Sequence, residues 1–141
     1  MLLDQRPYDL NDAEPCEDVP AFAFTPARPR WTVVLPFYNE RDYLAISLES
    51  LAAQTIPFHL VLVDNNSTDG SSEIALALCH LGGIGATLLT ERRPGKVSAL
   101  QSGMEATTSE LVATCDADTI YPADYLERAG ALLDRTGAVA A

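Results

Sequence analysis

The feature that most constrains the fold of this chain is the regular alternation of short apolar runs with segments of helical periodicity. The apolar runs are rich in Val and Leu, which indicates strands buried on both faces. Such alternation predicts right-handed crossovers and a mainly parallel sheet covered by helices on both sides, an α/β fold of three layers. The predicted strands are residues 31–35, 58–63, 86–90 and 111–115, and the predicted helices start near Tyr43, Ser71, Pro94 and Pro122.

The loops that follow the predicted strands are the expected place for a ligand. In a parallel sheet these loops are free of a packing role, and the helices after them point N–H groups outward. All four loops carry polar or charged side chains: residues 36–40, 64–70, 91–96 and 116–121.

Charge and cysteine content narrow the class of protein. The chain has 20 Asp and Glu residues against 9 Lys and Arg, a formal net charge of −11. Nucleic acids and anionic membranes need a basic surface, so neither is an expected partner. The cysteines, Cys16, Cys79 and Cys115, are too widely spaced for a zinc motif and indicate reduced thiols.

The chain divides into two regions by composition. Residues 1–30 hold five of the nine prolines and six acids without apolar periodicity, which predicts an extended or disordered arm before a domain at 31–141. The sequence has neither a signal-peptide pattern nor a long apolar run. We therefore expect a cytoplasmic protein, membrane-associated only if the natural chain is longer.

Two acids one residue apart, Asp116 and Asp118, end the fourth predicted strand. Carboxylates at the tip of a buried strand are tolerated when a cation or a hydrogen-bonding ligand satisfies them, which is a metal-site hypothesis. The alternative is an acidic turn that caps the next helix.

A basic cluster stands out in so acidic a chain. Lys96 is the only lysine, and it lies close to Arg92 and Arg93. This patch is suited to a diphosphate. The alternative is a solvated loop before a helix.

Common nucleotide motifs do not fit. The glycines of residues 82–85 precede a strand, whereas a dinucleotide-binding loop follows the first strand. Gly95 and Lys96 are followed by Val97 where a P-loop needs Ser or Thr. A nucleotidyltransferase would need a glycine-rich loop where Pro36 stands, and the Gly-x-Ser-x-Gly elbow of many hydrolases is missing.

Four strand-end segments together resemble the family 2 glycosyltransferases over roughly residues 31–135. They are residues 33–40, residues 61–70, residues 95–103, and the pair Asp116 and Asp118 followed by Pro122. The resemblance implies the A-type nucleotide-diphospho-sugar transferase fold, a nucleoside diphosphate sugar as donor, with a UDP-sugar favoured, and a divalent metal, Mn²⁺ or Mg²⁺.

The resemblance also implies roles for individual residues. Asp118 is the expected metal ligand, and Asp116 is expected to contact the ribose or assist the metal. Asp64 matches the family acid that hydrogen-bonds the base. The remaining expected donor contacts are Pro36, Tyr38 and Glu40 around the nucleoside and Lys96 at the diphosphate.

The resemblance stops before an acceptor half. Family members supply their general base after the paired acids, so we expect it beyond Ala141 and assign no catalytic residue. The chain is expected to be the donor-binding half of an inverting transferase, incomplete at its C-terminus, that acts on an unknown saccharide or lipid acceptor. The alternative is a non-catalytic nucleotide-sugar-binding module.

Overall fold

The computed structural model of the chain describes residues 28–139, so most of the predicted acidic arm lies outside the described residues. Within this range four strands alternate with four helices. None of these helices is both long and apolar enough to cross a bilayer. The elements are β1 (Trp31–Phe37), α1 (Leu44–Ala52), β2 (Phe58–Asp64), α2 (Ser71–Leu81), β3 (Ala86–Thr90), α3 (Lys96–Glu105), β4 (Leu111–Thr114) and α4 (Tyr125–Thr136).

The four strands form one parallel sheet in the order β3-β2-β1-β4. Strands β1 to β3 build in one direction, and the chain then returns to place β4 on the other side of β1. Strand β1 is therefore central, and the direction of building reverses beside it. The predicted fold class is confirmed.

Side chains that alternate along the strands form two apolar clusters, one on each face of the sheet. One face packs against α1, α2 and α4, and it includes Leu35 of β1 and Leu62 of β2. The other face packs against α3, and it includes Val34 of β1 and Val63 of β2. Because side chains alternate along a strand, continuous apolar runs can serve both faces, and this gives the three layers.

Pro36 does not end the first strand, contrary to our prediction. Strand β1 continues to Phe37 and pairs with β2 over its whole length. The carbonyl of Val34 accepts a hydrogen bond from the N–H of Cys115, just after β4. Backbone groups two residues apart in a strand face the same side, so the backbone nitrogen of Pro36 also faces β4. The ladder between β4 and β1 ends at Val34, because an N–H at residue 36 would have to continue it and proline has none to donate.

Helix α3 lies unusually close to the sheet at Gly103. A Cβ atom on this residue would stand 2.3 Å from Val34 Cγ1 and 3.0 Å from Val63 Cγ2. Both valines are buried and β-branched, so they have little freedom to move aside. Glycine is required here for packing.

We expect Gly103→Ala to destabilise the domain by about 1–3 kcal/mol, the usual cost of overpacking a core. Met104→Ala, at the next and exposed position of α3, is the control and should cost less than about 0.5 kcal/mol. Urea unfolding followed by circular dichroism measures both free energies. Equal stability of the two variants would show that α3 can move away from the sheet at no cost.

Candidate functional site

A cleft of about 670 Å³ opens at the carboxyl ends of the strands. It lies where the order of building reverses between β1 and β4, the position at which open α/β sheets bind ligands. Six of the residues predicted from sequence line it: Pro36, Tyr38, Glu40, Lys96, Asp116 and Asp118. The structure thus brings these six residues together in one cleft, and their roles toward a ligand stay predictions.

The paired acids share one side of the chain after β4. Asp116 and Asp118 are exposed, whereas Ala117 between them is only 4% exposed. Both acids line the cleft. The backbone N–H of Asp116 donates to the hydroxyl of Tyr121 at 2.7 Å, which holds the turn that follows.

A polar stripe on α1 supports this acidic turn. The hydroxyl of Ser47 donates to the carbonyl of Asp116 at 3.2 Å, and the hydroxyl of Ser50 accepts from the N–H of Tyr121 at 3.1 Å. Just after the end of α1, the amide of Gln54 donates to the carbonyl of Pro122 at 2.7 Å. Ser47 and Ser50 are three residues apart and share one face of α1, so this face and the segment just after the helix together fix the turn.

Glu40 adds a third carboxylate to the cleft. Burial and the neighbouring charges of Asp118 and Asp69 raise the pKa of Glu40 above its ordinary value. Such mutual repulsion is relieved when a cation enters, and carboxylate oxygens are the ligands that Mg²⁺ and Mn²⁺ prefer. The residues present therefore suit a divalent cation. Within residues 28–139 no group of three or more His, Cys, Asp or Glu side chains is arranged to hold a metal unaided.

Lys96 reaches across the cleft to the paired acids. Its Nζ lies 2.5 Å from Asp116 Oδ1, and both side chains are more than half exposed. An exposed ion pair of this kind contributes little to stability, about 0–1 kcal/mol, and is easily exchanged for a ligand. Lys96 begins α3, so the N–H groups of the first turn of that helix also border the cleft.

Asp64 does not line the cleft. It is 8% exposed, and Oδ1 accepts from the N–H of Ser67 at 2.8 Å while Oδ2 accepts from the hydroxyl of Ser72 at 2.5 Å. These bonds hold the turn between β2 and α2. The next residue, Asn65, faces the cleft instead. Contact between Asp64 and a base stays a prediction, with which these bonds compete.

Asn65 is a residue whose importance the sequence did not reveal. Its Nδ2 donates to the carbonyls of Glu91 and Arg93 at 2.8 and 2.7 Å, and its Oδ1 accepts from the N–H of Gly95 at 2.8 Å. In sequence, Asn65 is one of several turn-forming residues after β2. Its hydrogen-bond partners lie in the loop after β3, and no local sequence pattern predicts these contacts.

Glu91 is the second such residue. It is 8% exposed and receives hydrogen bonds from the backbone and guanidinium of Arg93 and from the hydroxyl of Ser102 on α3. The bonds from Arg93, followed by the bond from Ser102, lower the pKa of Glu91 to about 2. The only signal in the sequence was an acid directly before two arginines in the 91–96 loop.

We expect the stability that Glu91 contributes to depend on pH. Its pKa is lower in the folded chain than in the unfolded one, so the contribution is complete above the unfolded value and is lost as pH falls toward about 2. Glu91→Gln should therefore be less stable than the wild type at pH 7, with a gap that narrows below about pH 4.5.

Urea midpoints from pH 7 to pH 2.5 measure this gap. Glu49→Gln, on the exposed side of α1, is the matched control and should show a small gap that changes little. A constant gap for Glu91→Gln across this range would contradict the ionised state of Glu91.

Comparison with known proteins identifies the family of this chain. The family model for glycosyl transferase family 2 matches residues 32–141. An uncharacterized glycosyltransferase of Mycobacterium tuberculosis is 38% identical over 104 residues, which are 74% of this chain and 44% of that protein. The undecaprenyl-phosphate 4-deoxy-4-formamido-L-arabinose transferase of Serratia proteamaculans is 33% identical, over 69% of this chain and 31% of that protein.

Solved structures show the same architecture. A mannosyltransferase of Pyrobaculum calidifontis, in complex with GDP-Man and Mn²⁺, is 34% identical with a TM-score of 0.70, over 75% of this chain and 32% of that chain. TarS of S. aureus, residues 1–349 in complex with UDP-GlcNAc, is 26% identical with a TM-score of 0.66, over 76% of this chain and 32% of that chain.

The sheet and its switch-point cleft define an A-type glycosyltransferase fold. The chain belongs to glycosyl transferase family 2, as the strand-end segments predicted. It spans less than half the length of these relatives.

Proposed function

We propose that this chain is the donor-binding half of an inverting glycosyltransferase that takes its sugar from a nucleoside diphosphate sugar. One observation carries the proposal: the cleft places the paired acids Asp116 and Asp118 opposite Lys96 and the start of α3. A donor diphosphate with its cation carries both signs of charge, and this cleft offers partners for both. The GDP-Man and UDP-GlcNAc complexes of similar structures support this donor class.

The acids are assigned to a divalent cation, with Asp118 as its direct ligand and Asp116 at the ribose or assisting the metal site. When bound, Mn²⁺ or Mg²⁺ stabilises the negative charge that grows on the leaving diphosphate. The repulsion between Asp118 and Glu40 supports this assignment, since a cation relieves it. The similar mannosyltransferase was solved with Mn²⁺.

The remaining cleft residues bind and orient the donor. Pro36 and Tyr38 line the nucleoside side at the end of β1, and Glu40 reaches the ribose hydroxyls. Lys96 exchanges its ion pair with Asp116 for the diphosphate. Asp64 contacts the base only if it gives up a bond inside its own turn.

Transfer needs a second half of the site. A general base must stand within hydrogen-bond reach of the acceptor hydroxyl, and we assign none among residues 28–139. The acceptor, a saccharide or a lipid, is therefore assigned to a part of the protein outside this range. Binding of donor without transfer by the full protein would favour the alternative, a non-catalytic nucleotide-sugar module.

We expect binding of uridine diphosphate to require Mn²⁺ or Mg²⁺ and to depend on Asp118. Asp118→Asn should weaken the metal-dependent affinity by at least about tenfold, which is ~1.4 kcal/mol. Isothermal titration calorimetry with and without the metal measures it.

Asp124→Asn, just before α4 and away from the residues that line the cleft, is the matched control and should bind like the wild type. Equal affinity with and without metal, or an unaffected Asp118→Asn, would remove Asp118 from its assigned role.

We expect Lys96→Met to weaken the binding of uridine diphosphate by about fivefold to tenfold, because it removes a charge-assisted contact with the diphosphate. The variant should also show a shallower loss of affinity between 50 and 300 mM salt, since exposed charges are screened. Arg135→Met, at an exposed position of α4, is the control for total charge. If Lys96→Met binds as tightly as Arg135→Met, the diphosphate is held elsewhere.

A further inference from the structure

We infer that Asn65 is a positioning residue for the donor cleft. Its side chain holds the loop after β3 against the end of β2. This contact sets the position of Gly95 and Lys96, where α3 begins. The inference rests on the proposed function for the identity of the ligand, but the fastening itself is a property of the loop. Asn65 acts through its neighbours and is not a catalytic residue.

The geometry uses both amide hydrogens of Asn65. They are donated to the carbonyls of Glu91 and Arg93, on either side of Arg92, and the amide oxygen accepts from the N–H of Gly95. All three distances are between 2.7 and 2.8 Å, and the residue is 8% exposed. Three bonds from one buried amide to one loop of five residues define the path of that loop.

The loop is also held from its other side. Glu91 binds Arg93 within the loop and Ser102 on α3. Asn65 therefore ties the loop to β2, while Glu91 ties it to α3. Gly95 lies between the two anchors with φ of 109°, a conformation that side-chain-bearing residues rarely adopt. The direction in which α3 begins thus depends on the bond between Asn65 and Gly95.

Only an amide satisfies this pattern. Aspartate has nearly the same shape, but its carboxylate would face two carbonyl oxygens with no hydrogen to donate. Two carbonyls that lose their hydrogen bonds and face a carboxylate are unfavourable, so the loop in Asn65→Asp should move away from β2. Lys96 follows Gly95 directly and should move with it.

The first test needs no ligand. Trypsin cleaves after Arg92, between the two carbonyls that Asn65 holds, and the bond after Arg93 is protected by Pro94. The rate of cleavage after Arg92, divided by the rate after exposed Arg128 on α4, reports local opening and corrects for global unfolding. We expect this ratio, followed by mass spectrometry of the intact chain, to rise about tenfold or more in Asn65→Asp, the equivalent of ~1.4 kcal/mol.

Asn66→Asp is the matched control. This neighbour is exposed and makes a single bond to the same loop, from Nδ2 to the carbonyl of Arg92 at 3.1 Å. Its ratio should change less than about twofold, because water can replace an exposed bond. An unchanged ratio in Asn65→Asp would overturn the inference, and so would equal rises in the two variants.

The second test asks whether Asn65 acts through the start of α3. Asn65→Asp should weaken metal-dependent binding of uridine diphosphate about tenfold in the wild-type background and less than about twofold in Lys96→Met, because residues that act as one unit are not additive. Independent losses that simply add would show that Asn65 does not position Lys96. If the wild type binds no uridine diphosphate, the proposed function fails, and the cleavage ratio alone decides whether Asn65 fastens the loop.

Discussion

The cleft exists because the central strand is longer than its neighbour. Strand β4 pairs with β1 only as far as Val34, whereas β1 continues to Phe37 along β2. Beyond Val34 the two strands separate. Asp116 and Asp118 follow the end of β4 there and line the cleft. The mismatch in strand length opens a crevice at the switch point, and Pro36, near the end of β1, lies just beyond the last residue of β1 that pairs with β4.

Hydrogen bonds made by polar side chains hold the walls of this crevice. On one wall two serines of α1 and Gln54, just after that helix, hold the turn that carries the paired acids. On the other wall Asn65 and Glu91 fasten the loop that leads into α3. Loops are the mobile part of an α/β fold, so such bonds allow the groups that face a ligand to be set in place before it binds.

Part of this site could be predicted from sequence because strand-end loops follow from local patterns. The apolar runs indicated where the strands end. The resemblance to family 2 glycosyltransferases indicated which of the acids after them are candidates for binding a ligand. Asp64 and Asn65 show the limit. Both lie at the end of the same strand. In the folded chain Asp64 binds the backbone of the turn that follows it, whereas Asn65 faces the cleft. Sequence spacing does not distinguish two adjacent polar residues whose partners are distant.

By itself the sequence determined the order and type of the elements, the parallel sheet and the family, because apolar periodicity and turn residues act over a few neighbouring positions. Only the tertiary structure decided that β4 lies beside β1, that β1 continues through Pro36, and that Glu91 is a buried, strongly acidic carboxyl. Each of these depends on contacts between segments far apart in the chain, and such contacts exist only once the layers have packed.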